Sequence, residues 1–209
     1  MNTSEHIHRF VPARASVEKA YTLLLLHGTG GDENNLMGLA DHFGQAFNYL
    51  SPRGQVLENG MPRFFRRLSE GVFDQKDLEK RTRDLATFIR HAGTHYGFNP
   101  RKVIALGYSN GANIAASLML SGENVLKHAI LMHAMVPFIP SDFPLLQHSQ
   151  VLLTAGENDP IVPAENTSAL ADLLVQAGAE VEIFWHQSGH TLIEEEIARA
   201  QLFLNNLNI

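Results

Sequence analysis

Cysteine is missing altogether from the 209 residues, which removes disulfides, thiolate metal ligands and a cysteine nucleophile together. Charge is sparse: 16 basic and 22 acidic side chains leave a formal charge of -6. The field of the molecule therefore repels phosphate backbones, and nucleic acid is not an expected partner. Long apolar runs are lacking too. No stretch approaches the roughly 18 consecutive apolar residues that span a bilayer, and the opening MNTSEHIHRF carries no apolar signal-peptide core. A cytoplasmic location without stable membrane insertion is the expectation, compatible with the absent cysteine. What is present suits an ordinary globular protein, since 44% of the residues are apolar. Residues 1–209 are expected to share one core as a single domain.

Short apolar runs alternate with helical spacing along the chain. Strands are expected at 21–26, 47–51, 103–106, 128–132, 151–155 and 180–185, and helices at 33–43, 74–96, 113–120, 163–177 and 191–207. Residues 52–73, with proline, glycine and four arginines but no clear period, read as a long loop of the kind that lines or covers a site. Residues 137–144 form a second, proline-rich loop. This alternation predicts an α/β fold, a mostly parallel central sheet with helices on both faces and no large cap domain.

Gly107-Tyr108-Ser109-Asn110-Gly111 falls between an expected strand and an expected helix. A G-x-S-x-G stretch in that setting is a nucleophile elbow, a sharp turn that lifts a serine hydroxyl above the sheet. Such a serine needs a histidine base, and the base needs an acid to fix its tautomer, here in the chain order serine, acid, histidine. Among the histidines that follow Ser109 are His133, His148, His186 and His190. His190 lies in a Ser-Gly-His turn after the last strand, and Thr191 with Glu194 has the spacing of a capping box that anchors the next helix. His133 ends a strand but precedes every candidate acid. His190 is therefore the expected base. Asp159, in the Gly-Glu-Asn-Asp-Pro loop after a strand, is the preferred acid, with Glu157 as the alternative.

Residues 23–33, LLLLHGTGGDE, end a strand in glycine. The spacing fails G-x-G-x-x-G because Glu33 stands where the last glycine belongs, which argues against a dinucleotide site. Beside an elbow, the stretch suits an oxyanion hole made by the backbone N–H groups of Thr29 and Asn110. His27 is then structural, and Asp32 caps the helix that follows. In the 52–73 loop, Phe64, Phe65, Arg66, Arg67 and Phe73 are the candidate substrate-binding residues, suited to an aromatic or anionic group.

Together LLLHGTGGDE, SPRG, GYSNGAN, GENDPIVP and SGH, in this order over nearly the whole chain, resemble the bacterial carboxylesterase/phospholipase family of small α/β-hydrolases, related to acyl-protein thioesterases. The resemblance implies a carboxylesterase-type serine hydrolase acting on small-molecule esters of small or medium acyl chains. It assigns Ser109 as nucleophile, Asp159 as acid and His190 as base, and it implies homodimers. SPRGQVLENGMPRFFRRL looks more like the bacterial esterase branch than the thioesterases, and Asn110 stands where thioesterases commonly carry glutamine. No metal and no organic cofactor is expected. Lysophospholipase or acyl-protein thioesterase activity is the alternative within this chemistry. The alternative from another class is a non-catalytic protein that binds or senses a small ligand on the same fold.

Overall fold

The computed structural model describes residues 6–207. In chain order the strands are β1 (His8–Val11), β2 (Thr22–Leu26), β3 (Asn48–Pro52), β4 (Val56–Glu58), β5 (Met61–Arg63), β6 (Arg67–Ser69), β7 (Val72–Phe73), β8 (Val103–Tyr108), β9 (His128–Met132), β10 (Gln150–Gly156) and β11 (Glu180–His186). The helices are α1 (Ala40–Phe43), α2 (Gln75–Tyr96), α3 (Asn110–Leu120), α4 (Ala164–Gln176) and α5 (Glu194–Asn206). Seven strands form one sheet in the order β1-β3-β2-β8-β9-β10-β11. Only β1 is antiparallel to its neighbour.

The strands are short and apolar throughout because both faces are covered. Alternate residues enter two separate cores. Leu24 and Leu26 of β2, Val103 and Ala105 of β8, and Leu131 of β9 pack with α2, α3 and α4. Their neighbours Leu23, Leu25, Ile104, Leu106 and Ile130 pack with Phe43 of α1 and with Ala200 and Leu204 of α5. Helix α2 starts on Asp74, whose carboxylate accepts the Asp77 N–H, and stops at Gly97 in the left-handed region (φ 79°).

Three expectations need correction. The 33–43 segment is not one helix but turns, a 3-10 turn at Met37–Leu39 and the single-turn α1. Asp32 Oδ1 accepts the Asn34 N–H, and Asn35 Oδ1 accepts the Asp32 N–H. These bonds compete with helix initiation, so Asp32 caps a turn. The 52–73 segment is not a plain loop, since β4 pairs with β5 and β6 with β7 as two small ribbons. Asn59 and Gly60, both at positive φ, make the tight turn of the first. Helix α5 begins three residues later than expected, and Thr191 with Glu194 makes no capping box. Glu196 reaches back instead, its Oε2 accepting the Ile193 N–H at 3.0 Å.

Candidate active site

Parallel strands point one way, so the loops leaving their carboxyl ends converge on one edge of the sheet, where ligands of open α/β sheets bind. Thr29 follows β2, Ser109 follows β8, His133 follows β9, Asp159 follows β10 and His190 follows β11. The ladder reaches past the strand ends, with Ser109 N–H donating to Met132 O at 2.9 Å and His133 N–H to Thr154 O at 2.8 Å.

Ser109 sits at φ 52° and ψ -114° immediately before α3, a conformation costly for a side chain with a Cβ. The flanking glycines allow it. A Cβ on Gly111 would lie 2.0 Å from Leu26 O, and one on Gly107 2.6 Å from the Ala112 nitrogen. The helix must pack that closely on the sheet for the turn to form, so both positions exclude a side chain. The Asn110 Oδ1 accepts the Phe64 N–H at 2.7 Å, fastening the elbow to the 52–73 segment.

Ser109 Oγ lies 2.8 Å from His190 Nε2, and His190 Nδ1 lies 2.7 Å from Asp159 Oδ2. Asp159 Oδ1 accepts the N–H groups of Ile161 and Val162 at 2.8 and 3.0 Å. Burial opposes its charge, but bonds from His133, His190 and those two N–H groups outweigh it and hold the carboxyl below its usual range. With Nδ1–H given to Asp159, a neutral His190 turns a bare Nε2 to the serine hydroxyl. Tyr108 O–H donates to His190 O and fixes the loop. Glu157 is exposed and is bonded by Gln187, away from the histidine.

The N–H of Asn110 opens α3 and so lacks a carbonyl one turn back. Thr29 sits across the cleft on the loop after β2, and its Oγ1 accepts from Arg63 Nη1 at 2.6 Å. His27 steadies that loop: Nδ1–H donates to Gly28 O at 2.7 Å and Nε2 accepts the Gly54 N–H at 2.9 Å. Burial keeps its pKa below the histidine norm, so it stays neutral in this role.

A cleft of about 210 Å³ opens over Ser109, and Arg63, Arg67, Phe73 and Met135 are among its walls. Of the five residues singled out in the 52–73 segment, Arg67 and Phe73 line the cleft. Phe64 and Phe65 do not: they are buried in the core, with Phe65 edge-on to Phe73. Arg66 is exposed outside it, its N–H bonded to Asp77 Oδ2. Aromatic side chains next to one another found more apolar area to cover beneath the cleft than within it. Arg63 was not singled out from the sequence, yet it lines the cleft with only 4% exposure. It faces Glu58 at 3.3 Å, a carboxylate it shares with Arg67 at 2.8 Å. No local pattern marks it, since burial rises along β5 from the exposed Met61 to the buried Arg63 without alternating.

Glu196 was also missed, and His133 was set aside as the base on chain order. His133 Nδ1 lies 2.8 Å from Asp159 Oδ2, the oxygen His190 uses, and its Nε2 lies 3.2 Å from Glu196 Oε1. His133 with His186 and Glu196, and His133 with Asp159 and His190, bring their polar side-chain atoms within 4.8 Å of one another.

The sequence matches the Phospholipase/Carboxylesterase family over residues 8–208. MhqD of Bacillus subtilis (strain 168) is 49% identical over 179 residues, which cover 86% of this chain and 90% of that protein. The carboxylesterase of Bacillus cereus superposes with a TM-score of 0.92 at 44% identity, over 96% of this chain and 93% of its own. A structure of YahD with malic acid gives 0.91 at 31% identity, over 98% and 100% of the two chains. Fold, sequence and site edge agree, and the chain belongs to the phospholipase/carboxylesterase family of α/β-hydrolases.

Proposed function

We propose that the protein is a carboxylesterase that cleaves small esters through an acyl-enzyme on Ser109. The observation that carries this reading is the Ser109–His190–Asp159 chain, with separations of 2.8 and 2.7 Å, on an elbow held at positive φ. His190 Nε2 takes the serine proton as Oγ attacks the carbonyl carbon. The tetrahedral oxyanion faces the N–H groups of Thr29 and Asn110, which are set before charge develops and so stabilise it without reorganising. The ester C–O bond then breaks as the imidazolium protonates the leaving alkoxide. Water attacks the acyl-enzyme with His190 again as base, releasing the acid.

The cleft, about 210 Å³, suits a short acyl group. Its chemistry favours esters that also carry an anionic group. Arg63 and Arg67 share the single carboxylate Glu58, leaving one positive charge of that trio uncompensated by it. Arg63 is largely buried, where water screens charge poorly. A related structure, that of YahD, is with malic acid, a dicarboxylate.

The test is steady-state hydrolysis of p-nitrophenyl acetate and a p-nitrophenyl succinate monoester by the wild type and Ser109→Ala, with fluorophosphonate labelling of both. Activity and labelling confined to the wild type, with a rate that rises through a pKa near the ordinary histidine value of about 6.5, support the reading. A folded wild type that neither turns over nor labels overturns it in favour of a binding protein.

A further inference from the structure

Behind Asp159 lies a second histidine with no place in the reaction as written. His133 is fully buried, as is Glu196. Each ring nitrogen of His133 meets a carboxylate: Nδ1 is 2.8 Å from Asp159 Oδ2, and Nε2 is 3.2 Å from Glu196 Oε1. A neutral imidazole has a single N–H, so one of these contacts would set a nitrogen lone pair against an oxygen lone pair.

Both carboxylates are surrounded by donors. Asp159 accepts from Ile161, Val162 and His190. Glu196 accepts from Thr154 Oγ1 at 2.5 Å and from the Ile193 N–H at 3.0 Å. His186 faces it too. Its Nδ1 accepts the Ser188 N–H, and its buried Nε2, without a hydrogen-bond partner among the described residues, is 3.5 Å from Glu196 Oε1. Neither acid has reason to hold a proton, and the ring between them must supply both N–H groups.

We infer that His133 is held as an imidazolium, donating Nδ1–H to Asp159 and Nε2–H to Glu196, and that it is a positioning residue setting the pH at which His190 becomes a base. The second half rests on the proposed roles of Ser109, His190 and Asp159. Burial pulls the pKa of His133 down, but the bonds to Glu196 and Asp159 outweigh it and raise the pKa above the histidine norm. Burial likewise opposes the charge on Glu196, and bonds from His133 and Thr154 overcome that.

The ionisable groups facing His133 are Asp159 after β10, Glu196 on α5, His186 at the end of β11, His190 beyond it and Tyr108 at the end of β8. The His133 and His190 ring centroids are 5.0 Å apart. A cation so close, drawing on the same carboxylate oxygen, opposes a second cation at His190. It keeps the base unprotonated to lower pH. Glu196 in turn balances His133, leaving Asp159 as the net charge of the buried trio, which a protonated His190 neutralises during turnover.

Two measurements test this. In nitrogen-15 NMR of the histidine rings, His133, identified by the signal lost in His133→Gln, should show both nitrogens still protonated above the ordinary histidine value of about 6.5, and Glu196→Gln should lower the pH at which it loses a proton. In kinetics with a neutral ester, His133→Gln should move the low-pH limb of kcat/KM upward by about one unit while changing KM less than about twofold. A neutral His133 ring in the wild type overturns the inference whether or not the variants fold. An unmoved limb in a folded His133→Gln overturns its catalytic half. A stoichiometric divalent cation on His133, His186 and Glu196 also overturns it, because Nε2 would then carry a lone pair. A charged ring in a protein with no esterase activity counts against the hydrolase reading and not against the charge state.

Discussion

His190 and His133 approach the same oxygen of Asp159, at 2.7 and 2.8 Å, yet the first ring is 14% exposed and meets Ser109 while the second is sealed against Glu196. The two halves of the site follow different rules. On the open half, positions are set by backbone: an elbow, close-packed glycines, N–H groups at a helix start. In the proposed reaction a base there gains and loses a proton in every cycle. On the sealed half, side chains fix one another through charge, and a proton that left would leave a buried carboxylate without its partner, at a cost of several kcal/mol.

The hub itself is the sharpest place to break this contrast. Asp159→Asn should lower kcat about 10⁴-fold and also loosen the sealed half, seen as a fall in the urea midpoint that Ser109→Ala does not share. Next is the sealed half alone. Glu196→Ala should destabilise the fold by about 3 kcal/mol by equilibrium unfolding, and Ser109 should still label with a fluorophosphonate under native conditions.

On the open half, Arg63→Gln should raise KM for a succinate monoester about tenfold relative to a neutral ester, one charge-assisted bond lost. Arg66→Ala, on the exposed side chain, should change that ratio less than twofold. A comparable effect from both would mean that loop charge acts at long range rather than through the cleft wall.

A separate effect concerns proton uptake by the buried histidines. His6 and His128 are buried and held by burial at about 4, whereas the unfolded value is about 6.5. The unfolded chain binds more protons between those values, so this contribution to stability falls as pH drops from about 6.5 to 4. His133 has the opposite sign. Its raised pKa contributes stability that is present below 6.5 and is lost as pH rises through its folded value. Urea midpoints between pH 5 and 8 should therefore flatten on the acid side in His128→Gln and on the basic side in His133→Gln.

The same division governs how far the sequence could be read. The elbow at Ser109 was legible because strand, turn and helix are adjacent, and chain order led from there to Asp159 and His190. The fold followed from alternating short apolar runs, except at β1, whose four residues are half exposed in alternation, and at β4 to β7, whose two or three residues each are too few for a period to stand out. Helix spacing at 33–43 misled because Asp32, Asn34 and Asn35 turn the chain before Leu36 and leave the apolar spacing itself intact. Phe64 and Phe65 misled for another reason: an aromatic pair in a loop reads equally as a pocket wall or as the underside of one. His133 and Glu196 stand 63 residues apart. Their pairing exists only once β9 and α5 meet, and no local pattern encodes it.

The backbone at Ser109 carries one more consequence. A residue held at φ 52° and ψ -114° stores about 1–3 kcal/mol of strain, which glycine would release. A chain that exchanged this serine for glycine would lose its chemistry and fold more firmly. On the proposed mechanism, drift away from catalysis at this position runs downhill in folding free energy, so activity and stability pull in opposite directions at a single residue.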